Sequence, residues 1–480
     1  MVPQPRVTAS GPRALAIAAL ILAHAAAASP APAAREEIVS FGRFGAVSVY
    51  HAAAAPSRVA IFVSGDGGWN QGVVSMARSL ASMGALVMGV DIRRYLKALE
   101  AAPEKCSYPA SDFEALSQFM QKRLGLPRYI SPVLVGYSSG ATLVYATLAQ
   151  APGATFRGGV SLGFCPDLPV TKPFCRGNGL EWDPGPKGRG VVFRPATTLE
   201  VPWVALQGTI DQVCDPKMTT TFVGRVPHGE IVLLPKVGHG YSVERNWMPQ
   251  FRAAFERVAS SADSASAGAP AAGAPLADLP ITEIPASGES RGALVVWITG
   301  DGGFGVTDKG VTARLAARGY PVAVLNSLHY FWKPKSPEIG AEDLARMLRA
   351  YRAAWKKERF VLIGYSLGAD VLPFLVNRLP PDLSDRVAGI VLLGPSHTAH
   401  FEFHLTDWLG SFKRKSDRPV LPEVERLRGR SILAFYGVEE TDTIGPELAK
   451  GLARVIPLSG GHRIGASYES VADSILASIR

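Results

Sequence analysis

The same ordered set of short motifs occurs twice along this chain, at a nearly constant offset. Residues 61–69 and 296–304 each carry an apolar run followed by Gly-Asp-Gly-Gly, and residues 136–140 and 364–368 each read Gly-Tyr-Ser-x-Gly. The offset between the copies is far longer than the ~20–50 residues of a solenoid repeat. The chain is therefore predicted to contain two copies of one whole domain.

Length and composition agree with two folded domains. The chain has 480 residues, of which 47% are hydrophobic and 19% are charged, which is enough to bury substantial cores. We predict an N-terminal domain over residues 35–260 and a C-terminal domain over residues 291–480. Residues 261–290 are rich in Ala, Gly, Ser and Pro, and this composition predicts a flexible linker.

Residues 1–29 have the pattern of a cleavable signal peptide. Arg6 and Arg13 precede an apolar run at residues 14–28, which ends in small residues near Ser29. The run is shorter than a comfortable membrane span, so an uncleaved membrane anchor is the less favoured alternative. We expect an exported, soluble mature protein.

The net charge of +9 is spread along the chain and forms no long basic run. The charge pattern therefore gives no support for nucleic-acid binding. One short basic cluster, Lys413-Arg414-Lys415, is either a solvated loop or a contact for anionic lipid head groups, and a solvated loop is favoured.

All four cysteines lie in the first half, at positions 106, 165, 175 and 214. An even number in an exported protein predicts two disulfides, for which three pairings exist. We favour Cys165 with Cys175, across a Pro/Gly-rich segment, which leaves Cys106 with Cys214. No metal site is predicted, because there is no CxxC motif and no histidine is spaced with the cysteines as a ligand set.

Short apolar, β-branched runs alternate with helical patterns in both halves. This alternation predicts the α/β class, with a mostly parallel sheet flanked by helices in each domain. In the second half, strands are predicted over residues 293–298, 321–325 and 360–363, and helices over residues 311–318 and 342–357.

The second Gly-Tyr-Ser-x-Gly motif follows a predicted strand and precedes a helical stretch, which is the context of a nucleophile elbow. Ser366 is its serine, and His462 near the chain end is the candidate base. A serine hydroxyl needs such an imidazole to take its proton, and the imidazole needs an acid behind it. Counting from the strand-ending glycine selects Glu440 as the acid, whereas allowing an insertion selects Asp442, which we prefer.

The first half carries the same chain order of serine, acid and histidine, which is typical of α/β-hydrolases. A strand predicted over residues 203–208 precedes Asp211, and Ser138 and His239 complete the set. We predict these three residues as a second possible site.

The Gly-Asp-Gly-Gly segment stands where lipases and esterases carry an oxyanion loop. Backbone N–H groups of Gly302 and Gly303, together with that of Leu367, are the predicted donors to a developing oxyanion. The carboxylate of Asp301 is favoured to cap this turn rather than to take a direct part in catalysis, and Asp301 is also a candidate substrate-binding residue. A nucleotide-binding loop is not favoured, because the Lys-Ser/Thr ending of a Walker motif is missing.

Two further residues are candidates for substrate binding. Asp370, one turn into the helix after Ser366, is placed to attract a cationic group, although a helix-surface aspartate near the positive helix end is an equal alternative. Tyr330, in a Tyr-Phe-Trp run, is a candidate wall of an acyl pocket, although core packing is the commoner use of aromatic residues.

Four segments of the second half, taken together, carry a family resemblance: Gly-Asp-Gly-Gly at 300–303, Leu-His-Tyr-Phe-Trp at 328–332, Gly-Tyr-Ser-Leu-Gly-Ala-Asp-Val-Leu-Pro at 364–373, and Gly461-His462. This half resembles the AcvB/VirJ family of bacterial virulence proteins. The resemblance implies a periplasmic serine hydrolase, without cofactor, that cleaves the ester joining lysine or alanine to phosphatidylglycerol at an anionic membrane surface. Ser366 would be its nucleophile and His462 its base. The alternatives are a periplasmic protein that supports secretion without turnover, and a general carboxylesterase or lipase.

Overall fold

Each half of the chain folds around its own large sheet. The structure, a computed structural model, describes residues 1–4, 35–153, 155–176, 178–261, 276–287, 289, 291–403, 417–462 and 468–479. Most of the predicted signal peptide, and the basic cluster at 413–415, lie outside these ranges. Among the described helices, none is long and apolar enough to cross a membrane.

The strands of the first half are β1 (Glu36–Phe41), β2 (Gly45–Tyr50), β3 (Arg58–Val63), β4 (Ala85–Val90), β5 (Val133–Tyr137), β6 (Gly158–Leu162), β7 (Asp167–Leu168), β8 (Trp182–Pro184), β9 (Val191–Phe193), β10 (Trp203–Gly208) and β11 (Gly229–Leu234). Its α-helices are α1 (Gln71–Ser82), α2 (Ile92–Ala101), α3 (Pro109–Arg123), α4 (Ser139–Gln150), α5 (Pro216–Val223) and α6 (Met248–Ser260). Eight strands form one sheet in the order β1-β2-β4-β3-β5-β6-β10-β11, and β7-β9-β8 form a small separate sheet.

The strands of the second half are β12 (Ile281–Ile284), β13 (Ala293–Ile298), β14 (Val322–Leu325), β15 (Arg359–Tyr365), β16 (Val387–Leu393), β17 (Thr398–Ala399), β18 (Arg418–Pro419), β19 (Ile432–Gly437) and β20 (Arg454–Leu458). Its α-helices are α7 (Val306–Ala317), α8 (Ser327–Tyr330), α9 (Pro337–Trp355), α10 (Leu367–Val376), α11 (Pro381–Ser384), α12 (Leu421–Glu425), α13 (Gly445–Leu448) and α14 (Tyr468–Ser478). Seven strands form the large sheet in the order β12-β14-β13-β15-β16-β19-β20, and β17 pairs with β18.

The two large sheets have the same topology. The order β2-β4-β3-β5-β6-β10-β11 corresponds strand by strand to the order of the second sheet, and β1 is an additional edge strand. In each sheet the six neighbouring strands from β4 or β14 to the far edge pair in parallel. The prediction of two tandem α/β-hydrolase-like domains is confirmed.

Hydrophobic burial explains why these segments form central strands. Every residue of β4 and of β13 is buried. Such continuous apolar runs are typical of parallel strands with helices on both faces, because neither face meets water. Two core clusters accordingly form in each half.

The predicted linker is wrong over its C-terminal part. Strand β12, at residues 281–284, pairs antiparallel with β14 and forms an edge of the second sheet. Leu276, Leu279 and Ile281 are buried in the core of the second half. The Ala/Gly/Ser/Pro composition ends before these apolar residues, which have enough hydrophobic surface to join a sheet.

The favoured disulfide pairing is also wrong. The structure joins Cys106 to Cys175 and Cys165 to Cys214, with Cα–Cα separations of 4.9 and 5.2 Å. The sheet order explains the second pair, because β6 and β10 are neighbours and each cysteine follows the carboxyl end of one of them. Backbone hydrogen bonding between Ser107 and Cys175 explains the first pair.

The two halves contact each other through Trp332, which follows α8. Its indole Nε1 donates to the carbonyl of Leu126 at 2.8 Å, and its ring packs against Tyr129 of the first half. The Lys122 ammonium, near the end of α3, donates to the Trp332 carbonyl at 2.6 Å and pairs with Glu402 at 3.2 Å. These contacts fix the C-terminal end of α3 against the second half.

Candidate active site

Ser366 lies in a sharp turn between β15 and α10. Its φ angle is +52°, in the left-handed region that non-glycine residues seldom occupy. A Cβ atom at Gly364 would lie 2.2 Å from the Gly368 carbonyl oxygen, and one at Gly368 would lie 2.1 Å from that of Ile298. Both glycines are therefore required by close backbone approach, as in a nucleophile elbow.

A hydrogen-bonded chain of three side chains contains Ser366. Its Oγ lies 2.8 Å from His462 Nε2, and the Nδ1 atom of His462 bonds to a carboxylate oxygen of Glu440. The Glu440 side chain is only 4% exposed, and its second oxygen accepts the N–H of Gly437 at 3.3 Å. The structure thus assembles a Ser–His–acid triad in the second half.

The prediction that Asp442 is the acid of this triad is wrong, and the alternative, Glu440, is the acid that bonds to His462. Asp442 instead accepts from His397 Nδ1 at 2.7 Å, and its side chain is 57% exposed. The reason is a tight turn after β19, in which the N–H of Glu440 donates to the Gly437 carbonyl. This turn directs the glutamate toward His462, so no insertion has to be allowed for.

The environment of His462 suits it to act as a base. The hydrogen bond that His462 Nδ1 donates to Glu440 raises the pKa of His462 above its usual range, against the opposing effect of desolvation. The negative charges of Glu440 and Asp301 raise it further. A raised pKa means that the imidazolium formed when the serine loses its proton is stabilised.

The first half contains a second complete triad. Ser138 has a φ of +55°, and its Oγ lies 2.9 Å from His239 Nε2. His239 Nδ1 lies 2.9 Å from Asp211 Oδ2, and the other oxygen of Asp211 accepts the N–H groups of Val213 and Cys214. The structure therefore brings together all three residues predicted for this half.

The two triads differ in how open they are. The His462 side chain is 42% exposed and that of His239 is 16% exposed. A bound substrate therefore has easier access to the histidine of the second triad than to that of the first.

The predicted oxyanion donors are placed beside Ser366, with one correction. The loop packs on the nucleophile, since a Cβ atom at Gly300 would lie 3.2 Å from the Ser366 Cβ. The N–H of Gly303 donates to the Gly300 carbonyl at 3.0 Å. Because this N–H is already used within the turn, Gly303 is no longer a candidate oxyanion donor. Gly302 is exposed at the loop, and Leu367 begins α10, where an N–H has no acceptor within the helix.

Asp370 does not face substrate. Its carboxylate is buried and accepts the N–H of Ser396 at 2.6 Å and its hydroxyl at 3.2 Å. Burial raises the pKa of Asp370 to about 8. The prediction that it binds a cationic group is wrong, because the helix turns its side chain toward the loop after β16.

Tyr330 does not face substrate either. It is buried, and its hydroxyl donates to Asp343 of α9 at 2.6 Å. The prediction of a pocket wall is wrong for this residue, because core packing takes the ring. Its neighbours Leu328 and His329 line the cavity instead, together with the predicted Asp301.

A cavity of about 520 Å³ opens at Ser366 and His462, and both halves of the chain build it. The second half supplies the residues of the Gly-Asp-Gly-Gly loop. The first half supplies Tyr108, Glu114 and Tyr129, which no sequence motif had indicated. These residues are seen only when the packing of the two halves is known.

A second cavity of about 440 Å³ shares Pro152, Gly153 and Asn178 with the first. Apolar side chains of the first half, including Phe156 and Leu199, form much of its lining. An ion pair between Lys309 and Glu200 joins the two halves there.

Fold and triads together define an α/β serine hydrolase, the class to which esterases belong. The match to known families is more particular. A family model described as bacterial virulence protein (VirJ) matches residues 57–159 and 292–480, and this chain belongs to that family. The matched segments contain both Gly-Asp-Gly-Gly loops and both serine elbows.

Several solved structures are similar to part of the chain. The esterase domain of a Rhodothermus marinus protein is 17% identical, with a TM-score of 0.33, over 47% of this chain and 98% of that one. XC6422 from Xanthomonas campestris, described as an a/b serine hydrolase without lid, is 16% identical, with a TM-score of 0.31, over 47% of this chain and 93% of that one. No curated protein matches. The fold assignment here rests on strand order and on the two triads.

Proposed function

We propose that this protein is a periplasmic esterase that hydrolyses the aminoacyl ester of lysyl- or alanyl-phosphatidylglycerol at an anionic membrane surface. The proposal rests on the Ser366–His462–Glu440 triad, which opens into the large cavity between the halves. An ester is the bond that such a triad attacks. The resemblance of the second half to its family supplies the lipid substrate.

The triad geometry gives the order of steps. His462 Nε2 takes the Ser366 proton as Oγ attacks the aminoacyl carbonyl, and Glu440 stabilises the imidazolium. The N–H groups of Leu367 and Gly302 are the remaining candidates to hold the oxyanion. The proton then passes from His462 to the glycerol oxygen, which leaves as phosphatidylglycerol. Water, deprotonated by His462, attacks the aminoacyl-serine ester; the bond to Ser366 Oγ then breaks, His462 returns the proton to Oγ, and the amino acid is released.

The surroundings of the triad support a cationic acyl group and an apolar remainder. Three of the described residues that line the large cavity, Glu114, Asp301 and Asp308, are acidic, and none of those described is lysine or arginine. Apolar side chains of the first half form much of the lining of the adjoining cavity, which suits lipid chains. The two features match the two ends of an aminoacylated phospholipid.

Hydrolysis of vesicle-bound lysyl-phosphatidylglycerol by the purified mature protein tests the proposal. We expect free lysine to be released by the wild type, lost with Ser366→Ala and largely retained with Ser138→Ala. Full activity of Ser366→Ala would overturn the assignment of the site. Hydrolysis of neutral carboxylic esters without any release of lysine would indicate a general carboxylesterase instead.

The complete triad at Ser138, His239 and Asp211 favours a second candidate activity, namely ester hydrolysis by the first half. Labelling with a fluorophosphonate, which reacts with activated serines, tests it. We expect one label to remain on Ser138 when Ser366 is replaced by alanine. Failure of both serines to react would favour a binding protein without turnover.

A further inference from the structure

The loop that follows β3 in the first half joins the first triad to a cation. A Cβ atom at Gly65 would lie 3.0 Å from the Ser138 Cβ, and the N–H of Gly68 donates to the Gly65 carbonyl at 2.9 Å. A Cβ atom at Gly68 would lie 2.0 Å from an Nη atom of Arg93. One tight turn therefore packs on the nucleophile at one end and on a guanidinium at the other.

Arg93 is held in place and remains accessible. It lies in the first turn of α2, and its Nη2 atom donates to Asp91 Oδ2 at 3.3 Å. Asp91 is itself buried and accepts the N–H of Trp69, the residue after the loop, at 3.2 Å. The Arg93 side chain is nonetheless 61% exposed, and Asp91 is the one hydrogen-bonding partner of its guanidinium among the described residues. A guanidinium has five N–H donors, so most of them are left for a ligand.

The corresponding position of the second half lines a substrate cavity. The strands that precede the two positions, β4 and β14, are equivalent in the two sheets, and the offset that relates the two Gly-Asp-Gly-Gly loops also relates Arg93 to Leu328. Leu328 lines the cavity that opens at Ser366. The shared topology therefore places Arg93 where a substrate of the first triad is bound.

Charge distinguishes the two sites at this position. Each loop carries one aspartate, Asp66 or Asp301, at the same place in its turn, so this residue type is common to both. Arg93 and Arg94 stand where the second half has leucine and histidine. Because arginine pairs strongly with anionic oxygens, the first site is suited to a negatively charged substrate.

We propose that the triad of Ser138 hydrolyses esters that carry a carboxylate on the acyl group or on the leaving group, and that Arg93 binds this carboxylate. This assignment goes beyond the lysyl ester proposed for Ser366, and it rests on the ester hydrolysis proposed above for the first half. An arginine that Asp91 already holds loses little freedom on binding, and its two parallel N–H donors fix the orientation of the ester as well as its charge.

The reaction follows the steps given for the second triad. His239 Nε2 takes the Ser138 proton as Oγ attacks the ester carbonyl, and the alcohol then leaves with the proton from His239. Water, deprotonated by His239, attacks the acyl-serine; the bond to Oγ breaks, and His239 returns the proton to Oγ. Arg93 changes no bond in these steps, since its guanidinium only holds the carboxylate of the ester.

The test uses the full mature protein carrying Ser366→Ala, so that only Ser138 can turn over. Three chromogenic esters are compared. Mono-p-nitrophenyl adipate carries a carboxylate on its acyl group, the heptanoyl ester of m-carboxy-p-nitrophenol carries one on its leaving group, and p-nitrophenyl heptanoate is the neutral counterpart of both. We expect Arg93→Gln to lower kcat/KM for one or both of the anionic esters by about tenfold or more, and to change the neutral ester by less than about twofold.

Arg94→Gln is the matched control. Arg94 is the next residue of α2, is exposed, and forms no side-chain hydrogen bond or ion pair within the described part of the chain. Its replacement removes the same charge from the neighbouring position, and we expect less than about a twofold change for each ester. Equal losses of the anionic esters in Arg93→Gln and Arg94→Gln would overturn the specific role of Arg93. Cleavage of the neutral ester reports that each variant is folded.

The outcomes separate the role of Arg93 from the activity on which it rests. If the Ser366→Ala protein cleaves the neutral ester but Arg93→Gln affects all three esters equally or not at all, the role of Arg93 is overturned and ester hydrolysis by the first half stands. If that protein cleaves none of the three esters, hydrolysis by the first half fails, and the binding role fails with it. Release of lysine from lysyl-phosphatidylglycerol by the wild type measures the proposed function of Ser366 separately.

Discussion

The Nδ1 atom of His462 bonds to Glu440, a carboxylate almost fully removed from water, whereas Asp442 two residues further bonds to an exposed histidine. This relationship assigns the acid of the second triad. It also separates two carboxylates that chain order alone leaves equivalent, since both lie between Ser366 and His462.

Replacing these two carboxylates in turn tests the assignment. Glu440→Gln keeps the size of the side chain but removes the charge that orients and stabilises His462. We expect kcat to fall by about 10³- to 10⁴-fold, as when the acid of a triad is made an amide. Asp442→Asn, the matched control, should change kcat by less than about twofold, because the lost contact is exposed. Equal losses in both variants would contradict the assignment.

The pH dependence of hydrolysis follows from the raised pKa of His462. His462 must be neutral to accept the Ser366 proton, so kcat/KM falls as pH drops below the pKa of His462. We expect the acid limb of the profile to lie above the ordinary histidine value of 6.5. In Glu440→Gln the main cause of the rise is removed, so the residual activity should show an acid limb at lower pH. If the acid limb lies at the same pH in the wild type and in Glu440→Gln, a group other than His462 controls it.

Asp370 affects stability rather than substrate binding. Its pKa is raised to about 8 by burial in the folded protein, from an ordinary value of 3.8. Between these values the folded state holds a proton that the unfolded state lacks, so stability falls as pH rises through this window, by on the order of 1 kcal/mol per pH unit. We expect Asp370→Asn to reduce this slope in denaturant unfolding at pH values between 5 and 8. We also expect it to leave unchanged the ratio of the kcat/KM values for a p-nitrophenyl ester with a cationic acyl group and for its neutral isostere. A selective loss of the cationic ester would restore Asp370 as a substrate contact.

The two disulfides are expected to differ in their effect on the first triad. The N–H of Cys214 donates to Asp211 at 2.9 Å, and Cys214 is bonded to Cys165. Replacing Cys165 and Cys214 by serine should therefore slow fluorophosphonate labelling of Ser138 while leaving that of Ser366. Replacing Cys106 and Cys175 is the matched control, since this disulfide makes no contact with the triad among the described hydrogen bonds. Each pair should cost about 2–4 kcal/mol of stability. Equal labelling of Ser138 in both double variants would show that the disulfide does not position Asp211.

Short sequence patterns are enough to predict many of the strands and helices and most residues of the two triads. The strands predicted over residues 203–208 and 293–298 have those bounds in the structure, because an apolar run that ends at a glycine or just before one is a local signal. Ser366 and His462 were likewise found from short motifs, because each stands at the end of a strand or in a glycine turn. The helix predicted at residues 342–357 begins earlier, at Pro337, where the Ser336 hydroxyl caps it.

What the sequence left undetermined depends on how distant segments meet. The disulfide pairing follows the adjacency of β6 and β10, which is a property of the sheet order. The burial of Asp370 depends on the loop that carries Ser396. The presence of Glu114 in the active-site cavity depends on how the two domains pack. No sequence motif within either domain indicates this packing.

The most direct test of the central claim is the release of lysine from vesicles containing lysyl-phosphatidylglycerol, measured for the wild type and for Ser366→Ala in the same assay. We expect the wild type to release lysine and to regenerate phosphatidylglycerol, and the variant to release no lysine above background. Release of lysine by Ser366→Ala at the wild-type rate, or no release of lysine by either protein, would contradict the proposed function.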